Sequence, residues 1–401
     1  MALVCAARQR YESDCMARRL RVAHVTPSFH PARAYGGPPE SVYQLTRHLA
    51  RAGVEVRVLT TNADGAATLD VGDDETELEP GFRVRYAKRW TDHIAPGLLL
   101  ELAEVARWAD VVHLNGVYSF TTFPTLLAAR AAGKPLVWSS RGALQRWEGG
   151  RRKGLKRVWD QGCRLVAPAG VVLHVTSEEE GLESASQLPE ARVRVVRNGV
   201  PLPSDLPQRV PSPDGVLRLG SLGRLHPIKG LDNLLQALHL ILAEESPVPL
   251  RLDIAGDGDE RYTRKLQEMA RALGLGKVVR FIGPRHGDDK RSFFLDTDLF
   301  VAPSHRENFG IAIAEALAHG VPAMTGRGAP WSMLAERRAG YWVSNDPRSL
   351  ADAIKVARDA PLLEMGARAR EFARTDLGWE GVAQQMASIY ENVASATPGR
   401  H

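Results

Sequence analysis

The sequence predicts an α/β protein built from two Rossmann-like halves with parallel sheets, and three observations carry that expectation. The chain has 401 residues with 44% hydrophobic content, more than one ordinary core takes up and enough for about two domains. Apolar runs of strand length alternate with stretches of helical period from Leu20 to Val196, and the alternation restarts at Leu217. Between them, Pro201 to Pro213 carries five prolines and few large apolar side chains, the composition of a linker.

Leu20-Arg-Val-Ala-His-Val-Thr26 reads as the first strand, broken by Pro27 and Pro31. Val42, Leu45 and Leu49 then give Glu40 to Ala52 a helical period. Gly36-Gly37 lies between strand and helix, either as a plain turn or as a place where backbone can approach a phosphate. Val54 to Thr60 is the second strand, and the acidic region Asp64 to Pro80 reads as an exposed loop or hairpin. Val111-Val-His-Leu-Asn115 is a buried strand with His113 close to its carboxyl end, where open α/β sheets bind ligands. A histidine there either meets a ligand or spends its nitrogens on backbone carbonyls. Pro135 to Ser140, Val171 to Thr176 and Val193 to Val196 are further strands, with Ser177 and Glu180 spaced as a capping box for a helix to Leu188.

From Arg146 to Arg164, seven Lys or Arg stand against Glu148 and Asp160, with Leu155, Val158 and Trp159 at helical spacing. This basic amphipathic helix, within 146–164, is either a solvated helix packed on the sheet or a dock for an anionic membrane surface or a lipid-diphosphate.

In the second half, Leu217 to Leu222 is a strand that leaves through Gly223-Arg224, and Lys229-Gly230 opens a helix from Leu231 to Glu244. Arg224 and Lys229 emerge from one loop at the sheet's carboxyl edge, a planar fork and a point charge that together suit a diphosphate. Leu250 to Ala255 is followed by Gly256-Asp-Gly258, which lacks the Gly-x-Gly-x-x-Gly spacing and disfavours a nicotinamide cofactor. Asp257 and Asp259 read as a polar turn rather than a metal site. Strands follow at Val278 to Gly283, Pro322 to Thr325 and Gly340 to Val343. Leu350 to Arg374 is helical in two pieces around Pro361, and Trp379 to Val393 is the last helix.

Most of the expected chemistry gathers between Ser304 and Pro322. Leu299-Phe-Val-Ala-Pro303 is a short buried strand closed by proline, Gly310 is a turn, and Ile311 to His319 are helix formers stopped by Gly320 and Pro322. The free N–H groups of that first helical turn favour an anion such as a phosphate. Glu307 precedes the helix start, and Glu315 lies about 1.5 turns beyond Gly310. Carboxylates do not bind an anion but accept from hydroxyls, so a ligand with both phosphates and sugar hydroxyls fits the whole stretch.

Glu307 and Glu315 stand in Glu-x7-Glu spacing, with Pro303, Ser304, Phe309-Gly310, Glu315-Ala316 and Gly320-Val-Pro322 around them. This stretch resembles the signature of the retaining glycosyltransferases of the two-domain GT-B architecture, in particular the family-4 group. Gly223-Arg-Leu-His-Pro-Ile-Lys-Gly230 is similar to the Gly-Arg-Leu-x3-Lys-Gly element of the same family, in the same order and at a similar separation. The resemblance covers nearly the whole chain apart from its ends. It implies two doubly wound, Rossmann-like domains facing each other across a cleft. The expected divisions are a tail over 1–19, an acceptor-binding domain over 20–204, a linker over 205–215, a nucleotide-sugar-binding domain over 216–376, and a last helix over 377–401 that crosses back to the first domain.

The resemblance also implies a nucleoside-diphosphate sugar donor, UDP- or GDP-linked, and transfer with retention to a glycan or polyprenyl-linked acceptor. Neither a metal nor another cofactor is implied, because protein cations do that work in this architecture. By resemblance, Arg224 and Lys229 take the diphosphate together with Gly223 and the backbone of Asn308, Phe309 and Gly310. Glu307 would orient the donor sugar, Glu315 would take the ribose hydroxyls, and Ile282 of Phe281-Ile282-Gly283 would offer backbone to the base. Through a Val-His-x-His/Asn-Gly pattern His113 would lie beside the donor sugar, closing from the first domain with Gly36 and Gly37. No carboxylate of the first domain declares itself as a nucleophile, so same-face displacement is expected over a covalent intermediate. The architecture suggests a step of polysaccharide or lipopolysaccharide assembly.

The formal net charge of +5 and the sequence pI near 9.2 suit an anionic donor or membrane surface, and are too weak and dispersed to imply nucleic acid. Three cysteines, Cys5, Cys15 and Cys163, show no metal-type spacing and point to a reducing cytoplasm. The sequence has no apolar run of about 18 residues, so the expected location is cytoplasmic, or peripheral on the inner face of the membrane. The first 19 residues carry Arg8, Arg10, Arg18 and Arg19 without an apolar core, and read as a tail rather than a secretory signal, or as a start placed ahead of Met16. Two rivals share these features: a nucleoside-diphosphate-sugar epimerase of the same architecture and a non-catalytic nucleotide-sugar-binding protein.

Overall fold

Runs of Val, Leu and Ala bounded by glycine and proline are the pattern of strands buried on both faces, and here they form parallel strands. The computed structural model describes residues 19–91, 94–145, 153–210, 214–245 and 248–396, and among these the strands fall into two large sheets and one short antiparallel pair, Ala63–Asp64 with Ala67–Thr68. The tail expected over 1–19 lies almost wholly outside the described residues, with Cys5, Cys15 and Met16.

The first half runs β1 (Arg21–Val25), α1 (Gly37–Arg51), β2 (Glu55–Thr61), β3 (Thr76–Glu79), β4 (Phe82–Ala87), α2 (Gly97–Trp108), β5 (Val111–Asn115), α3 (Thr122–Ala131), β6 (Leu136–Ser139), α4 (Lys153–Val166), β7 (Val172–Val175), α5 (Glu178–Gln187) and β8 (Arg192–Val195). Its strand order is β8-β7-β6-β5-β1-β2-β4-β3, parallel except for β3, which pairs antiparallel with β4. The region Asp64 to Pro80 thus ends in one arm of a hairpin. The other arm, β4, was not anticipated, although Phe82-Arg-Val-Arg-Tyr alternates with period two. Helices α2 and α3 were not anticipated either. Neither has a capping side chain, so neither carried a start signal.

The second half runs β9 (Leu217–Leu222), α6 (Leu231–Leu242), β10 (Leu250–Ala255), α7 (Glu260–Ala272), β11 (Val279–Gly283), α8 (Gly287–Leu295), β12 (Leu299–Ala302), α9 (Ile311–Ala318), β13 (Ala323–Gly326), α10 (Met333–Glu336), β14 (Gly340–Val343), α11 (Pro347–Arg358), α12 (Leu362–Asp376) and α13 (Trp379–Ser395). Its strand order β11-β10-β9-β12-β13-β14 is that of a doubly wound dinucleotide-binding sheet. The order reverses between β9 and β12 here, and between β1 and β5 in the first sheet. Crevices at the carboxyl ends of the strands form at such reversals, and these two locate the site.

Helix α9 is apolar apart from Glu315, and Ile313, Ala314, Ala316, Leu317 and Ala318 are buried between the sheet and α12. Each large side chain so covered contributes about 1.5–3 kcal/mol. Where α9 ends against α12, a Cβ on Gly366 would come within 2.2 Å of the Gly320 carbonyl oxygen, so only glycine allows that approach.

Helix α13 follows the second half in sequence yet packs in the core of the first. Trp379, Val382, Met386 and Tyr390, at helical spacing, share one cluster with Val22, Phe29, Val42 and Leu45. Part of the linker expected over 205–215 lies outside the described residues. Nearby, the Arg209 guanidinium donates to the carbonyls of Phe294 and Thr297, which ties this segment to the second half.

Candidate functional site

At the reversal of the second sheet, the loops after β9 and β12 are fastened to each other. His226 Nδ1 accepts from the Ile228 N–H at 3.2 Å and shapes a single 3-10 turn over Pro227–Lys229. Gly230, with φ +63°, then passes the Pro303 carbonyl so closely that a Cβ would lie 2.2 Å from its oxygen. The His305 N–H donates to Ile228 O at 2.8 Å, and the Glu307 N–H to Gly328 O at 2.8 Å. These ties bring the Lys229 ammonium onto the Glu307 carboxylate as an ion pair. Arg224 stands exposed in the same loop, beyond Gly223. Burial, and then the charges of Arg224 and Lys229, push the pKa of His226 below its ordinary value.

Gly310 turns the chain into α9 with φ +83° and no capping side chain; Ile313 N–H donates to the Gly310 carbonyl at 2.9 Å, and the N–H groups of Ile311 and Ala312 are left for a ligand. Phe309 is buried against Trp331, whose indole N–H donates to the Phe309 carbonyl. The Oδ1 of Asn308 is buried without a hydrogen-bond partner. Glu315 is mostly buried, and its Oε1 lies 2.5 Å from Nζ of Lys290 on α8, a cation the sequence did not announce. Ile282 is half-buried on the edge strand β11, separated from β9 by β10. The two halves meet over this ground. A Cβ on Gly37 would lie 2.4 Å from Ile311 Cδ1, and one on Gly142 would lie 3.0 Å from Asn308 Cγ. Gly36 forms the turn before Gly37 with φ +75°. Arg306 and Glu183 form an ion pair between the halves, beside a cavity of about 260 Å³ that Gln145, Glu307 and Arg327 help to line.

His113 corrects the sequence reading. It is fully buried, with Nδ1 2.6 Å from the Tyr390 hydroxyl and Nε2 2.6 Å from Ser139 Oγ. The direction of this chain follows from its far end. His174 Nε2, 3.0 Å from the Val196 carbonyl oxygen, can only donate there, so His174 Nδ1 accepts from the Ser139 hydroxyl at 2.6 Å. Ser139 Oγ then accepts from His113 Nε2–H, and His113 Nδ1 accepts from Tyr390. No nitrogen of His113 remains for a donor sugar, and the residue ties α13 to the first sheet instead. Burial pushes His24 and His174 down to about 3 and His113 well below its ordinary value, so all three are neutral.

The polar groups that this strand edge does offer are Asn115 and Arg141. Asn115 ends β5 with its Nδ2 unpartnered, and its Oδ1 accepts from Arg141 at 3.1 Å. Arg141 sits in the left-handed region, with φ +51°, and also donates to Asn198 Oδ1 at 2.9 Å. Burial lowers its pKa to about 10, so it keeps its charge. Its loop is held by Glu180, which accepts from Ser140 Oγ and the Gly142 N–H at 2.6 Å, and from Thr176 N–H at 2.7 Å. Ser177 does cap α5 through the Glu180 N–H at 3.1 Å, but the Glu180 carboxylate turns to the 140–142 loop, so the capping box is only half formed. Asn115 and Arg141 were legible as strand-exit residues at the sheet edge. Lys290 had no local signal.

In the basic segment, 146–152 lies outside the described residues. In α4, Trp159 donates to the Val117 carbonyl at 2.9 Å and Cys163 is buried, whereas Leu155, Val158 and Leu165 face outward. Of the two readings of this helix, the one packed on the sheet holds for Trp159 and Cys163 but not for Leu155 and Val158. Asp259 caps α7 by accepting from the Tyr262 N–H at 3.0 Å. Among the described residues, no group of three or more His, Cys, Asp or Glu is placed to hold a metal ion, and no helix is long and apolar enough to cross a membrane.

Two family models match adjoining parts of the chain: Glycosyltransferase Family 4 over residues 35–203, and Glycosyl transferases group 1 over 204–376. The chain is 28% identical over 408 residues to D-inositol 3-phosphate glycosyltransferase 2 of Catenulispora acidiphila, covering 92% of each chain. It is 29% identical over 344 residues to GDP-mannose:cellobiosyl-diphosphopolyprenol alpha-mannosyltransferase of Xanthomonas oryzae pv. oryzae, covering 84% of this chain and 87% of the relative. Among solved structures, sucrose-phosphate synthase of Thermosynechococcus elongatus matches with a TM-score of 0.71 at 19% identity, over 94% of this chain and all of that one. An Anabaena protein in complex with UDP-glucose matches with a TM-score of 0.66 at 19% identity, over 93% of this chain and all of that one.

Proposed function

The chain belongs to the GT-B glycosyltransferases of family 4, and we propose that it moves a glycosyl group from a UDP- or GDP-linked sugar to a glycan or polyprenyl-linked acceptor with retention of configuration. The observation that carries this reading is the Lys229–Glu307 ion pair at the reversal of the second sheet, beside the uncapped start of α9. A diphosphate lies against the N–H groups of Asn308 to Gly310 and takes Arg224 and Lys229. Glu307 accepts from the hydroxyls of the transferred sugar, and Glu315 from those of the ribose. From the first half, Asn115 and Arg141 take the place expected of His113, and Gly36-Gly37 covers the diphosphate. Ile282 borders the base.

In the transfer itself, the bond between the anomeric carbon and the β-phosphate oxygen breaks, and its electron pair leaves with the diphosphate. The acceptor oxygen attacks the same face, and its proton passes to the departing phosphate oxygen. Fixed cations and a helix dipole aimed at that leaving group are the largest contribution available, and they do the work of a metal ion. Closure of the halves excludes water and limits hydrolysis of the donor.

A role in polysaccharide or lipopolysaccharide assembly at the inner face of the membrane has support from α4. There Leu155, Val158 and Leu165 face outward with Arg157 and Arg164, a combination that suits an anionic bilayer. Co-sedimentation with anionic vesicles and its loss in salt are expected, and equal pelleting with neutral vesicles counts against the dock. The reaction is tested by incubating the protein with UDP- and GDP-sugars, with and without a glycan or lipid-linked acceptor, and reading the products by NMR. A new glycoside with the donor's anomeric configuration is expected. An inverted product overturns retention, and a new sugar nucleotide formed without acceptor supports the epimerase.

A further inference from the structure

The carboxylate of Glu315 has a partner of its own. Lys290, in the first turn of α8, holds Nζ 2.5 Å from Glu315 Oε1, with 32% of the lysine side chain exposed against 14% for the glutamate. A bare carboxylate at this point faces two difficulties. It stands about a turn and a half along α9 from the place a diphosphate takes, so its charge opposes that ligand. It is also free to rotate, and each rotamer lost on binding costs entropy.

The ion pair removes both. The opposite flank is built the same way, since Glu307 is discharged by Lys229. Each carboxylate beside the anion site thus has a lysine supplied by a neighbouring element, and with Oε1 occupied by Lys290, Oε2 of Glu315 is the oxygen left to accept. Lys290 also looks across to the other half. Glu40, at the start of α1, has its carboxyl held below the usual range mainly by His30, with Gln44 and the charge of Lys290 adding to it.

We propose that Lys290 is a positioning residue for the donor: it discharges Glu315 and fixes Oε1, so that Oε2 accepts a ribose hydroxyl next to the diphosphate. This rests on the reading of Glu315 as the ribose-side carboxylate. The test is calorimetric titration of the full chain with UDP, GDP and their 2′-deoxy forms, on the wild type, Lys290→Met, Lys290→Arg and Glu315→Gln, with melting temperatures confirming the fold. Lys290→Met is expected to weaken the ribonucleotide about tenfold and the 2′-deoxy form much less, so that the preference for ribose shrinks, while Lys290→Arg restores it. If Glu315→Gln loses that preference and Lys290→Met keeps it, the role of the lysine is overturned alone. If Glu315→Gln keeps the preference, the ribose assignment falls and the inference with it.

Discussion

The two sheets reverse their strand order in the same way, yet the reversals are furnished oppositely. In the second half, the loops after β9 and β12 present Arg224, Lys229 and Glu307 as charges that reach the cleft, Arg224 exposed and the ion pair partly buried. In the first, the corresponding strands β1 and β5 carry His24 and His113, fully buried and neutral, in a hydrogen-bonded chain that ends on Tyr390 of the crossing helix. One topology thus serves two ends. Its second copy presents charge to the cleft, and its first locks α13 in place and sets Asn115 and Arg141 at its edge.

Acid separates the two most strongly. His24 and His174 have folded-state pKa values near 3, below the ordinary 6.5, so the unfolded chain takes up protons that the folded chain refuses. Their stabilising contribution is complete above pH 6.5 and is lost as pH falls toward 3. Together they cost up to about 2.7 kcal/mol per pH unit in that window. Thermal melts between pH 7 and 5 are expected to show the first half unfolding progressively earlier; a flat profile would break the contrast. Next in size, Lys229→Met is expected to lower kcat/KM by about 10²–10³ with little change in melting temperature, as measured by steady-state kinetics.

Tyr390→Phe should do the reverse. It strips His113 Nδ1 of its donor in a buried place, at a cost of about 1–3 kcal/mol in denaturant titration, and leaves nucleotide affinity alone. The smallest effect is expected from Gly142→Ala. Its φ of +78° and the 3.0 Å approach to Asn308 put the strain at roughly 1 kcal/mol, read as a modest rise in donor KM.

Strand positions and the doubly wound fold were legible because parallel strands buried on both faces leave unbroken apolar runs, as at Val111-Val-His-Leu and Leu250 to Ala255. Loops leaving adjacent strands at one edge placed Lys229 and Glu307 in one neighbourhood, but their ion pair was not legible, because the lysine was expected on a diphosphate and the glutamate on sugar hydroxyls. His113 misled because strand-end position does not reveal which side chains pack around it. Its partners, Ser139 and Tyr390, lie 26 and 277 residues away. Lys290 was invisible for the same reason, since it meets Glu315 only through the packing of α8 beside α9. Whether Leu155 and Val158 turn inward or outward stayed open in the sequence, because a helical period gives a face without saying what covers it.

The account turns on a diphosphate held at the second reversal by Arg224 and Lys229. Calorimetric titration of UDP and GDP into the wild type and into the Arg224→Met/Lys229→Met double variant tests that most directly. A loss of affinity of about a hundredfold or more, with the fold intact, is the predicted result. An unchanged dissociation constant would contradict the account and move the nucleotide elsewhere.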